Sequence, residues 1–150
     1  MTDPVWILGI HMTKFGKHPD KDVVDLGAEA TMAALADAGM TMADVGILAA
    51  GNLLGSGGGF GQQLQKQVGQ TGIPVYNVAN ACATGATALR TAIMAVKAGE
   101  VDVGLAVGVE KLAGAGLLGG GGKSKSDGDE WQPAGRYGAV APVAHALDTL

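Results

Sequence analysis

An α/β domain with a largely parallel sheet is the fold class this sequence predicts, and three observations carry it. Short β-prone apolar runs alternate along the chain with alanine-rich stretches of helical length. The apolar runs are close to continuous, as expected of strands buried on both faces of a parallel sheet. Hydrophobic residues make up 47% of the 150 positions and charged residues 16%, enough apolar content for a packed core and too much for a disordered tail.

In chain order, Val5-Trp6-Ile7-Leu8-Gly9-Ile10 reads as a first buried strand, followed by a polar stretch from His11 to Asp22. Val23 to Ala38 predicts a helix, with Asp20 or Asp22 as its N-cap and Gly39 just past its end. Val45 to Ala50 is a second strand, closed by Gly51-Asn52, and the glycine loop Gly55-Ser56-Gly57-Gly58-Gly59 leads into a short polar helix from Phe60 to Val68. Pro74 opens a third strand that runs to Val78, where a residue without an N–H fits a strand start or edge. Cys82 to Ala98 is a strong helix ended by Gly99, and Val101 to Val109 is an almost wholly apolar strand. Residues 113–135, dominated by glycine, lysine, serine and aspartate, predict a loop. Tyr137 to Leu147 reads as helix again, with Pro142 marking a first turn or a kink. The helix at Cys82 is apolar almost all the way round apart from Arg90 and Lys97, which predicts burial on most sides, as between two sheets.

Composition excludes several function classes. A net charge of −4 gives no basic footprint for nucleic acid or an anionic membrane surface, and no apolar run has the length of a membrane span. A single cysteine forms no internal disulfide, and Asp3 and Pro4 interrupt any secretory signal, so the cytoplasm is the expected compartment. Gly114-Ala115-Gly116-Leu117-Leu118-Gly119 has the spacing of a dinucleotide fingerprint, but further glycines follow it where a helix is required. Gly122-Lys123-Ser124 resembles the end of a P-loop, yet Leu117 stands where that loop has its first glycine. Both read as solvated loop. His11, His18 and His145 lie at no metal-ligand spacing from one another or from Cys82, so no metal is expected.

The candidate functional residue is Cys82, in the run Val78-Ala79-Asn80-Ala81-Cys82-Ala83-Thr84-Gly85-Ala86. The strand gives way to the helix there, and the free N–H groups of a first helical turn favour negative charge and hence the nucleophilic thiolate. The competing reading is a small buried hydrophobe among alanines. Gly85 removes a side chain near the thiol at a cost in helix propensity of about 1 kcal/mol, which suits either close approach to the sulfur or packing against a neighbouring backbone. Thr84 and Thr87 can face the same space.

Asn80-Ala81-Cys82-Ala83-Thr84-Gly85, after a strand and opening an apolar helix, resembles the nucleophile motif of thiolases. The likeness is to the sterol carrier protein X-like branch, whose bacterial members include lipid-transfer proteins and acetyl-CoA acetyltransferases. Met12-Thr13-Lys14-Phe15-Gly16, Ala34-Leu35-Ala36-Asp37-Ala38-Gly39, Ala106-Val107-Gly108-Val109-Glu110-Lys111 and Arg136-Tyr137-Gly138-Ala139-Val140-Ala141-Pro142 follow in the order of that branch. Ala83-Thr84-Gly85 sides with thiolases rather than the related ketoacyl synthases, whose motif is richer in serine.

The resemblance implies the N-terminal half of a five-layer αβαβα fold, with a mixed, mostly parallel sheet and a buried nucleophile helix. It implies an acyltransferase in which Cys82 attacks an acyl-CoA thioester and carries the acyl group, in cleavage of a 3-ketoacyl-CoA or condensation of two acyl-CoAs. The Cys82 backbone N–H would help hold the oxyanion. Coenzyme A and acyl-CoA would be substrates, with no permanently bound cofactor, and a homo-oligomer would pair near Val75 to Val78. The family's catalytic histidine, its second acid/base cysteine and its Gly-His-Pro motif belong to a C-terminal half. The expectation is therefore a partial N-terminal thiolase domain, with a core at 1–112, the start of a loop region at 113–135 and a truncated helix at 136–150. The alternative is a non-catalytic thiolase-like subunit that binds acyl-CoA or a partner.

Overall fold

The computed structural model describes residues 4–54 and 59–112. These fall in the first of two compact units, Met1–Gly119; the second, Gly120–Leu150, lies outside the described residues. In chain order the elements are helix α1 (Val23–Asp37), strand β1 (Ile47–Gly51), helix α2 (Phe60–Val68), strand β2 (Val75–Val78), helix α3 (Thr84–Lys97) and strand β3 (Gly104–Gly108). Short 3-10 turns occupy Met42–Asp44 and Ala81–Ala83. The glycine loop at 55–58, the loop and helix expected at 113–150, the two glycine motifs and His145 lie outside the described residues.

The sheet has the order β2-β1-β3, and both pairings are parallel. Each strand is joined to the next through a helix, as a parallel pair requires. Central β1 is buried along its whole length, and its alternation distributes the core. Leu48 and Ala50 point to the face covered by Val23, Val24 and Ala28 of α1 and Phe60 and Leu64 of α2. Ala49 points to the other face, where it meets Ala88 and Ala92 of α3. The described residues thus form three layers, with α1 and α2 on one face of the sheet and α3 on the other.

Helix α1 begins where its capping chemistry dictates. The Asp22 carboxylate accepts the Val24 and Asp25 N–H groups at 2.8 Å each, and Asp25 accepts the Asp22 N–H at 3.0 Å. At the other end Gly39, at φ 65°, supplies the left-handed residue that closes the helix. The Asp22 N–H, with help from the Gln67 amide, holds the Asp25 carboxyl below its ordinary value, and the Thr41 N–H does the same to Asp44. A depressed folded-state pKa contributes stability that is complete above the ordinary carboxylate range and is lost as pH falls through the lowered value. Thermal melts followed by circular dichroism should therefore weaken on acidification through that range, and Asp25→Asn should remove part of the dependence. An acid limb unchanged by Asp25→Asn would contradict this assignment.

Two expectations need correction. Val5 to Ile10 forms no strand, and Trp6 is 76% exposed. Its backbone is engaged by a helix instead of a neighbouring strand. The Ile10 N–H donates to the Asp37 carboxylate at 2.9 Å, and Gly9 lies so close to the end of α1 that a Cβ would collide with Ala34 O and Ala38. Helix α3, moreover, buries one face only among the described residues: Ala88, Ala92 and Ala95 pack inward, while Leu89 is 44% and Met94 57% exposed.

Candidate functional site

The C-terminal ends of parallel strands are where α/β sheets build sites, because the following loops and helix N-termini converge there. In this chain the turn from β2 into α3 does so. Ala81 has φ 45°, a left-handed conformation that costs a residue with a Cβ about 1–2 kcal/mol and that concentrates at functional sites. It reverses the chain so that Cys82 follows in a 3-10 turn, with its side chain exposed.

Side chains hold this turn. The Thr84 hydroxyl accepts the Asn80 N–H and donates to Ala81 O, both at 2.8 Å, and Thr84 is only 5% exposed. The Asn80 amide donates to the Thr87 hydroxyl at 3.0 Å, and that hydroxyl donates to Ala83 O at 3.0 Å. Thr84 and Thr87 therefore brace the turn with their hydroxyls. Thr84→Val, which keeps the shape and removes both bonds, should lower stability by about 1–3 kcal/mol in urea denaturation. A loss below about 0.3 kcal/mol would show that the brace is not needed.

The N-cap of α3 is Ala83, which makes no side-chain hydrogen bond to the first turn, so the positive end of the helix macrodipole is left without a side-chain cap. Beneath it the sheet ends in paired glycines, Gly51 and Gly108. A Cβ on Gly51 would lie 2.9 Å from Thr84 Cγ2, and one on Gly108 would lie 2.8 Å from Gly85 Cα. A Cβ on Gly85 itself would meet only Gly108 Cα, at 4.0 Å, so packing against that backbone does not demand glycine at position 85.

Together Ala81, Cys82, Thr84, Gly85, Gly108, Val109 and Glu110 line a groove of about 260 Å³. Glu110 is a site residue that sequence reasoning missed; its signal was an acidic residue just beyond an apolar strand. His11 and His18 line a neighbouring cavity of about 510 Å³ that does not include Cys82 but shares Gly108, Val109 and Glu110 with the groove. Among the described residues no group of three or more His, Cys, Asp or Glu could hold a metal ion, and no helix is long and apolar enough to cross a membrane.

The thiolase N-terminal domain family matches residues 5–119. The chain is 40% identical over 112 residues to non-specific lipid-transfer protein-like 2 of Caenorhabditis elegans, covering 73% of this chain and 27% of that protein. It is 39% identical over 118 residues to sterol carrier protein 2 of Gallus gallus, covering 77% and 22% respectively. It is 40% identical over 114 residues to the acetyl-CoA acetyltransferase of Methanothermobacter thermautotrophicus, covering 72% and 29%. The chain thus matches about a quarter of the length of these relatives.

Proposed function

This chain belongs to the thiolase family through its N-terminal domain, and on that premise we propose that it carries the acyl-accepting nucleophile of a thiolase-type acyltransferase, Cys82. The observation that carries the reading is the exposed thiol at a strained strand-to-helix turn, beside an uncapped helix N-terminus and over a floor of glycines. An acyl-CoA thioester entering the groove would be attacked by the Cys82 sulfur. A new thioester forms, the bond from the acyl carbon to the coenzyme A sulfur breaks, and the departing thiolate takes up a proton to leave as free coenzyme A. The second half-reaction returns the acyl group to a thiol or to a second acyl-CoA. Covalent transfer divides one difficult step into two, and backbone N–H groups near the helix start would stabilise the tetrahedral oxyanion. The name of the acetyl-CoA acetyltransferase relative supports acyl-CoAs as the substrate class, and those of the lipid-transfer and sterol carrier relatives support a lipid-related role.

Nucleophilic catalysis needs a base, and among the described residues the groove's lining includes no histidine. The reading therefore assigns acid/base chemistry to a C-terminal thiolase part. The outer edge of β2 has no partner strand among the described residues, which supports pairing of two copies along Val75–Val78.

A second reading, a non-catalytic subunit that binds acyl-CoA, is favoured by the groove's having no histidine among the described residues. The two are separated by mixing the chain with acetyl-CoA, alone and with the C-terminal part of the Methanothermobacter relative, and following free coenzyme A. The acyltransferase reading expects a burst stoichiometric with the chain in the complemented mixture. Binding without release would favour the non-catalytic reading, and neither binding nor release would sink both.

A further inference from the structure

Glu110 lies two residues beyond the end of β3, is half-buried, and lines the same groove as Cys82. Its Oε1 accepts the Leu53 N–H from the turn that follows β1. Beside this bond the Asn52 amide donates to Val109 O at 2.9 Å, and the Val109 N–H donates to Gly51 O at 3.0 Å. The Asn52 N–H reaches Val78 O at 3.3 Å on the other side. The turn at 51–53 is thus tied to the ends of both neighbouring strands. The second carboxylate oxygen, Oε2, is buried and has no hydrogen-bond partner among the described residues. A shielded acceptor without a donor disfavours the folded state, so stability alone does not account for a carboxylate here.

We propose that Glu110 is a positioning residue for Cys82: its carboxylate latches the 51–53 turn to the end of β3 and so fixes residues 108–110 as the wall of the groove in which an acyl thioester meets the thiol. The latch acts through geometry, because misplacement of a reacting pair by a fraction of its approach distance is enough to slow transfer strongly. This inference rests on the acyl-transfer reading, and its test separates the two.

In the full chain complemented as above, Glu110→Ala should slow acylation of Cys82 by acetyl-CoA at least roughly tenfold. The loss should fall on the maximal rate rather than on the half-saturating acetyl-CoA concentration. Glu110→Gln, whose amide oxygen can still accept the Leu53 N–H, should restore the rate to within about threefold. Hydrogen exchange at the Leu53 amide should speed up in the alanine variant and recover in the glutamine variant. Full activity of Glu110→Ala, or an equal loss in both folded variants, overturns the proposal. If Glu110→Ala does not fold, a more than tenfold loss in Glu110→Gln overturns it. If the unchanged chain is never acylated, the acyl-transfer reading has failed, and the latch is judged by N-ethylmaleimide labelling of Cys82 and Leu53 exchange. Labelling and exchange that do not change in Glu110→Ala would then overturn the latch.

Discussion

Cys82→Ala is expected to abolish acyl transfer, lowering the release of coenzyme A by at least roughly a thousandfold, because without the sulfur no covalent intermediate forms. The same change should leave stability within about 0.5 kcal/mol, since the Cys82 side chain is exposed. The turn that carries it is held by Thr84, Asn80 and Thr87, none of which depends on the thiol. Parallel measurement of release and of the urea midpoint gives the comparison. A variant that keeps its fold and still releases coenzyme A at a tenth of the original rate would move the nucleophile elsewhere.

The second large effect belongs to the floor of the site. In Gly108→Val the Cβ would lie 2.8 Å from Gly85 Cα, a backbone atom that cannot swing aside. The first turn of α3 must then lift away from the sheet, which should cost about 1–3 kcal/mol and slow acylation by about a hundredfold. A substitution at the facing glycine provides the contrast. A Cβ on Gly85 would meet only Gly108 Cα, at 4.0 Å, and an alanine within a helix removes the propensity penalty of glycine. Gly85→Ala should therefore be neutral or stabilising by up to about 1 kcal/mol. Denaturation curves of the two variants check this directly, and equal losses would show that the helix does not rest on the sheet end at Gly108.

The sequence announces some of this architecture because certain residues act locally. Asp22 and Gly39 bracket α1 by chemistry that needs no tertiary partner, and α2 and β2 stand within the ranges read from the sequence. Cys82 lies at a strand-to-helix junction because the apolar period changes there. The missed features depend on what lies across space. Val5 to Ile10 has strand composition, but a strand exists only if another strand accepts its backbone, and here α1 engages it. The left-handed Ala81 carries no sequence mark, since alanine is not the residue that favours that conformation. Glu110 becomes a site residue only when β3 is placed beside β1, which brings its carboxylate to Leu53 across 57 positions of chain. Gly51 and Gly108 look like ordinary strand ends until their register pairs them under α3.

Peptide mass mapping shows whether Cys82 accepts the acyl group. The complemented chain is mixed with acetyl-CoA, quenched in acid within one turnover and digested. One acetyl group is expected on the peptide containing Cys82, removed by hydroxylamine as a thioester is and missing from Cys82→Ala. A folded, acetyl-CoA-bound chain whose Cys82 peptide stays unmodified, or whose acetyl group sits on another residue, would contradict that role of Cys82.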